Sequence, residues 1–259
     1  TELPITKWPE LAEPWLETLG ITAEDPALRR QVETLSSDAW HEREQAVQAL
    51  GRMGLSARGA IGHLIKRLAD EQWHVRKAAA IALTQMGPVT DQVVPPLITA
   101  LADEEWHVRK PAAEALAVLG PASTPAVTAL IEALEDEEWH VRKAAAGALA
   151  AIGPDAYPAV PQLVESLLDG EWQVRSPAAL ALGAIGPKAK SAIDQLLLVM
   201  DDEEWKIRKH AVQALGAIGV PSEAVLSVLR DAVNDEEDEV RQAANQTLDK
   251  LTAPLTETR

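Results

Sequence analysis

The sequence contains no cysteine and no phenylalanine, and it has a single tyrosine among its 259 residues. Without cysteine, the chain can form neither a disulfide framework nor a thiolate metal site, and it cannot use a cysteine nucleophile. Basic residues are also scarce, because 24 Lys and Arg face 40 Asp and Glu, which gives a net charge of -16. A nucleic-acid-binding protein would need a basic surface, so we expect no nucleic-acid partner.

Long apolar runs are missing as well. None approaches the ~20 residues of a membrane-spanning helix, so we expect no membrane partner. The chain is nevertheless 47% apolar, which is enough for a hydrophobic core and excludes a wholly disordered protein. It begins at Thr1 without Met or a signal-like segment. We therefore expect a processed form or a domain of a longer protein, unknown in location but soluble and cytoplasmic by default.

The sequence is organised by a period of 33 residues. Gly, Asp and Arg keep the same phase as Trp, and Asp238 takes the place of a seventh Trp. An uninterrupted period over about seven copies predicts tandem structural units. The recurring residues are Trp40, Trp73, Trp106, Trp139, Trp172 and Trp205, and the units change near Gly54, Gly87, Gly120, Gly153, Gly186 and Gly219.

One unit, residues 120–152, shows what each copy forms. Gly120-Pro121 ends one helix and begins the next. Apolar residues then recur at helical spacing before and after Asp136, which we expect to cap the second helix. Neither helix can bury its apolar stripe alone, so neighbouring units must stack. We therefore predict an all-α fold of about seven antiparallel helix pairs, each helix about 12–16 residues long. The pairs span residues 25–251, with a capping helix in 1–24 and a polar tail in 252–259.

Residues 136–154 resemble the HEAT-like repeats named after phycobilisome lyases. The segment reads Asp-Glu-Glu-Trp-His-Val-Arg-Lys-Ala-Ala-Ala-Gly-Ala-Leu-Ala-Ala-Ile-Gly-Pro. The resemblance implies an α-solenoid, a right-handed superhelix in which the second helix of each pair lines the concave face. It also implies that the Asp of the turn and the Arg of the second helix form a structural ladder between units. The residues at these positions include Asp103, Asp136, Asp169, Arg109, Arg142 and Arg175.

The Trp column has two interpretations. On a helical wheel, Trp lies outside the core of its own helix, at the edge of the expected concave face. It is either a rim that contacts a ligand or a structural element beside the Lys four residues later. Because a binding residue should differ between units, the structural interpretation is favoured. A partner-binding rim would comprise Trp73, Trp106, Trp139, Trp172, His107, His140, Lys110 and Lys143.

The His column beside the Trp raises the question of a metal site. Equivalent residues in stacked helices lie roughly 8–10 Å apart, which is too far for a compact set of ligands. We therefore predict a solvated or partner-facing row, with no metal and no cofactor. The iron enzyme deoxyhypusine hydroxylase has HEAT-like repeats with paired His-Glu motifs. Only His41-Glu42 has that dipeptide here, at a different repeat position, which argues against this enzyme.

Some positions of the second helix differ from unit to unit. The fifth, eighth and twelfth residues after the Trp are small or apolar in the central units and polar in the outer ones. Gly and Pro cost helix stability, so this pattern favours a partner-binding trough over simple drift toward small residues. The residues of the trough and its rim are Pro111, Glu114, Val118, Ala144, Gly147, Ala151, Pro177, Leu180 and Ala184.

The sequence contains no catalytic constellation. The leading hypothesis is a non-enzymatic scaffold that binds a peptide or protein on the concave face. Its acidic edge is compatible with a basic partner, and equally with a solvated edge that keeps the protein in solution. The alternative, which the family name implies, is a bilin-lyase-like or chaperone subunit that binds a tetrapyrrole chromophore and needs a second subunit. An engineered or recently duplicated repeat binder is a third reading, because the period has no insertions.

Overall fold

The computed structural model describes residues 25–86 and 90–253. The capping helix predicted for residues 1–24 lies outside these residues, as does most of the predicted tail. The chain divides into two compact units, each larger than one 33-residue copy: the first unit is residues 1–115 and the second unit is residues 116–259. From here on, we call each 33-residue copy a repeat. Every helix of the described residues falls into the 33-residue period, and the prediction of an all-α fold built from repeated helix pairs is confirmed.

The first unit contains three pairs of helices, and the last of these helices continues across the boundary. Within the unit, the second helices of the first two pairs, Trp40–Met53 and Trp73–Gln85, pack against each other. The pairs are α1 (Pro26–Thr34) with α2 (Trp40–Met53), α3 (Ile61–Arg67) with α4 (Trp73–Gln85), and α5 (Thr90–Ala100) with α6 (Trp106–Leu119).

The second unit contains four pairs, whose second helices again pack on one another. Its core is aliphatic, with Leu149, Leu182 and Leu215 buried at equivalent positions of successive second helices. The pairs are α7 (Val127–Ala133) with α8 (Trp139–Ile152), α9 (Val160–Ser166) with α10 (Trp172–Ile185), α11 (Ile193–Leu198) with α12 (Trp205–Ile218), and α13 (Glu223–Ala232) with α14 (Asp238–Thr252).

The first helix of several pairs is shorter than the sequence predicts. A 3₁₀ segment of seven residues precedes an α-helix of only six or seven residues. Each 3₁₀ segment begins at a Gly with positive φ, as Gly120 does at +58°. Pro125 and Pro158 lie inside two of these segments and lack the N–H that an α-helix would use. The seven-residue 3₁₀ segments are Gly54–Ala60, Gly120–Ala126, Gly153–Ala159 and Gly186–Ala192, and a short one, Val199–Asp201, follows α11.

The turn Asp closes the turn before the second helix and does not cap that helix. Asp136 Oδ1 accepts a hydrogen bond from the backbone N–H of Glu138 at 2.9 Å, while α8 begins one residue later, at Trp139. The predicted helix cap was therefore wrong, because the carboxylate binds within the turn and reaches no N–H of the helix itself. The same bond recurs at Asp70, Asp103, Asp169, Asp202 and Asp235.

One stretch, Trp106–Ala133, is long and apolar enough to be considered as a membrane span by length and composition alone. It is not a single α-helix, because Gly120 and the 3₁₀ segment Gly120–Ala126 separate α6 from α7. The stretch therefore consists of the second helix of one repeat and the first helix of the next.

Two glycines of the second helices lie in opposite environments. A Cβ added to Gly183 would lie 3.1 Å from Ala214 Cα, so this glycine lets α10 and α12 approach closely. A Cβ added to Gly147 in α8 would meet nothing within 4 Å. Gly183 therefore serves the packing of the repeats, whereas Gly147 lies on an open surface.

Alanine at these two glycines should change stability in opposite directions. Gly147→Ala should raise the free energy of unfolding by about 0.5–1 kcal/mol, because alanine is the better helix former. Gly183→Ala should lower it by about 1 kcal/mol, because the backbone of α12 has to move to admit the methyl group. Urea unfolding of both variants measures the two signs, and a shift in the same direction for both would refute the assignment.

Candidate functional site

An arginine in each of five second helices binds two repeats at once. Arg142 Nε and Nη2 donate to Asp169 Oδ2 and Oδ1 at 2.7 and 3.0 Å. Its Nη1 donates to the carbonyls of Asp136 and Glu137 at 2.8 and 3.0 Å. One guanidinium therefore closes its own turn and holds the turn of the following repeat. The same two-sided contact joins Arg43 to Asp70, Arg76 to Asp103, Arg175 to Asp202 and Arg208 to Asp235.

The ladder holds the carboxylate of Asp169 in its charged form. Burial alone would raise the pKa of Asp169. The hydrogen bonds from Arg142 and from the N–H of Glu171, together with the charge of Arg175, outweigh burial and set that pKa below its ordinary value. Arg109 donates to the turn carbonyls of Asp103 and Glu104 at 2.9 and 3.0 Å. These contacts favour a structural role for the ladder.

The Trp column of the first unit forms stacks with the His column. His74 stacks on Trp73 of its own repeat, with ring centroids 3.7 Å apart, and on Trp40 of the preceding repeat at 4.6 Å. His107 repeats the arrangement between Trp106 at 3.9 Å and Trp73 at 4.8 Å. Each of these histidines therefore fills the space between successive tryptophans.

In the second unit, Trp139 stacks on His140 at 3.7 Å. Further along, a lysine takes the position of the histidine, because Lys206 Nζ lies 5.1 Å from the ring of Trp172 and 5.7 Å from that of Trp205. Ring faces are thus engaged by neighbouring side chains in both units. This favours the structural interpretation of the Trp column.

The lysine four residues after the Trp behaves differently from repeat to repeat. Lys77 Nζ lies 6.0 Å from the ring of Trp73, at the limit of a cation–π contact. Lys110 binds Glu114 at 2.7 Å, and Lys143 is exposed. Among residues 25–86 and 90–253, no three His, Asp or Glu side chains group closely enough to bind a metal ion.

The predicted trough is only partly on the surface. Pro111 is buried, so its predicted contact with a partner was wrong. The reason is that the fifth position after the Trp lies where successive second helices meet. Ala78 occupies this position in α4 and is buried, and His210 occupies it in α12, where its Nδ1 lies 2.9 Å from Ser176 Oγ of the preceding repeat.

In the second unit, the eighth and twelfth positions after the Trp lie at the surface. Leu180 is 44% exposed and Val118 59% exposed. Gly147 has open space around it, and Ala151 on the next turn of α8 is half-buried. We call this apolar side of α8 and α10, with the adjoining fifth positions, the α8–α10 strip. It comprises the exposed Leu180 and the half-buried Ala144, Gly147, Ala151, Pro177 and Ala184.

The first unit contains a polar groove that was not predicted from the sequence. Its residues were interpreted there only as the polar, outer part of the trough. The groove has a volume of about 300 Å³ and lies between α2 and α4. Gly51 allows the two helices to approach, because a Cβ there would lie 3.0 Å from Ala82 Cα. The groove is lined by Glu44, Gln48, Arg52, His74, Lys77, Ala78, Ile81, Ala82 and Gln85.

A comparison of the sequence with known protein families also indicates a repeat protein. A family model for HEAT repeats matches residues 32–117, 94–183 and 160–249. The chain belongs to the HEAT-repeat family. This confirms the resemblance seen in residues 136–154 and assigns the helix pairs to HEAT repeats.

Solved structures of repeat proteins are similar to this HEAT-repeat chain. An engineered protein has a TM-score of 0.72 and 23% identity, over 95% of this chain and 77% of its own. The complex of CpcE and CpcF of phycocyanin lyase from Nostoc sp. PCC7120 has a TM-score of 0.55 and 25% identity, and the match covers 86% of this chain and 94% of that chain. A designed armadillo repeat protein in complex with the peptide (KR)4 has a TM-score of 0.56 and 22% identity, and the match covers 86% of this chain and 99% of that chain. No curated protein matches the chain significantly.

Proposed function

We propose that this HEAT-repeat protein is a non-enzymatic scaffold that binds a peptide or protein segment along the exposed side of its second helices. The observation that carries the proposal is the α8–α10 strip, where Leu180 is 44% exposed and Gly147 has nothing within 4 Å of its Cβ position. An interior helical Gly costs stability and an exposed Leu gains nothing from burial, so a binding role accounts for them better than folding does.

The contrast between recurring and variable positions of the repeat supports this function. The Arg–Asp ladder and the Trp stacks recur with the period and engage side chains of neighbouring repeats. The eighth and twelfth positions vary, as residues that select a partner should. At these positions the first unit has the polar groove with Gln48 and Arg52, and the second unit has the apolar strip. Each unit would therefore favour a partner segment of matching chemistry, polar at the groove of the first unit and apolar at the strip of the second.

A second candidate function is that of a lyase or chaperone subunit for a tetrapyrrole. The likeness to the phycocyanin lyase complex, at 25% identity over 86% of the chain, favours it. On this alternative, the α8–α10 strip would contact the apolar part of the chromophore, and Lys143 and His140 would face its carboxylates. A second subunit would then complete the activity.

Peptide selection tests the scaffold proposal. A displayed random peptide library would be selected on the immobilised protein, and the enriched peptides would be measured for affinity. Leu180→Asp and Gly147→Arg should each weaken those peptides at least tenfold, about 1.4 kcal/mol, because they place a charge on an apolar contact. Circular dichroism should show unchanged helix content.

Matched controls use the same substitutions elsewhere. Leu55→Asp changes an exposed Leu of the 3₁₀ segment Gly54–Ala60, and Gly62→Arg changes an exposed Gly of α3 with nothing near its Cβ position. Both should leave the selected peptides bound. Normal binding by Leu180→Asp and Gly147→Arg would refute the strip as the binding surface. Binding of a free bilin, followed by visible absorbance and lost in Leu180→Asp, would favour the chromophore alternative.

A further inference from the structure

The two most exposed large apolar side chains among the described residues lie together, away from the second helices. Leu168 is 68% exposed and Leu198 67% exposed. Leu198 is the last residue of α11, and Leu168 lies in the turn that follows α9. Both line one cavity of about 380 Å³, together with Leu167 and Val199. We call these four residues the leucine patch.

The repeats themselves show that the fold does not need these leucines. In every other described repeat, the position of Leu168 or of Leu198 holds a small, polar or charged residue. A residue required for packing would recur with the period, as the ladder Arg does. The residues equivalent to Leu168 are Ser36, Ala69, Ala102, Glu135, Asp201 and Asn234, and those equivalent to Leu198 are Glu33, Lys66, Thr99, Glu132, Glu165 and Asp231.

The surroundings of the leucine patch are acidic. The cavity is also lined by Asp169, Asp201 and Asp202. The ladder arginines Arg142 and Arg175 bind Asp169 and Asp202. The exposed carboxylate of Asp201 therefore carries the charge that a partner would meet. Glu165 of α9 is exposed in the adjoining groove, which Asp169 also lines. An apolar centre within an acidic rim is complementary to apolar side chains flanked by lysine or arginine.

We propose that the leucine patch docks an amphipathic, basic segment of a second protein. Its apolar side chains would enter the cavity, and its lysines or arginines would pair with Asp201. A second copy of this chain is a poor occupant, because a symmetric contact would set the same carboxylates against one another. The patch lies on the first helices, so this site is separate from the α8–α10 strip and does not depend on it.

A fluorescent peptide of leucine and lysine tests the proposal. The peptide would have about 18 residues, with helical spacing of its leucines, and its affinity would be measured by anisotropy. Leu168→Asp combined with Leu198→Asp should weaken binding at least tenfold, about 1.4 kcal/mol. Leu180→Asp should leave it unchanged. A peptide with glutamate in place of lysine should not bind, and high salt should weaken the lysine peptide, because the rim contacts are charged.

Several outcomes would overturn the proposal. The wild-type protein could fail to bind the lysine peptide, or Leu180→Asp could weaken binding as much as the double variant does. Equal binding of the glutamate peptide would remove the role of the acidic rim. A wild-type dimer in sedimentation, lost in Leu198→Asp, would make a second copy the occupant. Peptides selected for the α8–α10 strip should still bind the double variant, which keeps the two proposals distinguishable.

Discussion

Arg142→Ala should lower the free energy of unfolding by about 1–3 kcal/mol. The guanidinium makes four hydrogen bonds, two to Asp169 of the next repeat and two to carbonyls of its own turn. Its side chain is 18% exposed and that of Asp169 11% exposed, so water replaces few of these contacts. The variant also leaves the Asp169 carboxylate half-buried without its principal partner, which adds to the loss.

Urea unfolding at pH 7 measures this loss. Lys143→Ala is the matched control, because Lys143 is the next residue of α8 and its side chain is exposed. Asp169→Ala and the double variant complete a mutant cycle, whose coupling energy isolates the contact between repeats. Equal stability of Arg142→Ala and the control would show that the ladder only accompanies packing and contributes little to it.

The period and the resemblance together predicted the parts of the fold that recur. The second helices of repeats 1–6 begin at the predicted Trp, and Arg142 meets the turn carboxylate that the family pattern indicates. Such features can be predicted from the sequence because each repeat packs in the same way as the next. The Arg–Asp contact, shown five times in the described residues, is visible in the sequence because its two residues recur with the period.

Features that depend on geometry between helices were less predictable. A helical wheel placed Pro111 on the open side, although it is buried, because the wheel describes one helix and not the neighbour that packs against it. Sequence analysis considered a cation–π contact for the Trp and missed the stacks of His74 and His107 between successive tryptophans. That stacking needs the offset between repeats, which no sequence periodicity supplies.

The leucine patch was missed for a different reason. Leu168 and Leu198 look like ordinary apolar residues of a first helix and its turn, and only the exposed fractions of their side chains set them apart. A comparison of equivalent positions would have revealed them, because Glu165 and Asp201 occupy the same positions in adjacent repeats. In a repeat protein, departures from the period are therefore a better guide to binding than the period itself.

Acidification should destabilise the protein in two stages. Burial lowers the pKa of His63 and of His210, and nearby lysines lower both further. The folded state therefore binds fewer protons than the unfolded state below the ordinary histidine pKa of 6.5, and stability falls as the pH drops through that value. The second stage belongs to the ladder, where Asp169 and Asp235 have pKa values below 3.8. Their contribution is present above pH 3.8 and is lost as the pH falls through the lower folded-state values.

A series of urea unfolding curves from neutral pH to about pH 3 separates these stages from the effect of net charge. The net charge of -16 repels itself at neutral pH, so protonation of exposed carboxylates acts in the opposite direction. High salt screens that repulsion more than it screens the half-buried ladder. The loss of unfolding free energy at low pH should therefore persist in high salt.

Arg142→Ala should make the loss at the lower pH stage smaller, because the hydrogen bond from Arg142 is the largest contribution that lowers the pKa of Asp169. His210→Gln should flatten the upper one. Stability that rises continuously from pH 7 to about pH 3 would show that net charge, and neither the histidines nor the ladder, sets the acid response.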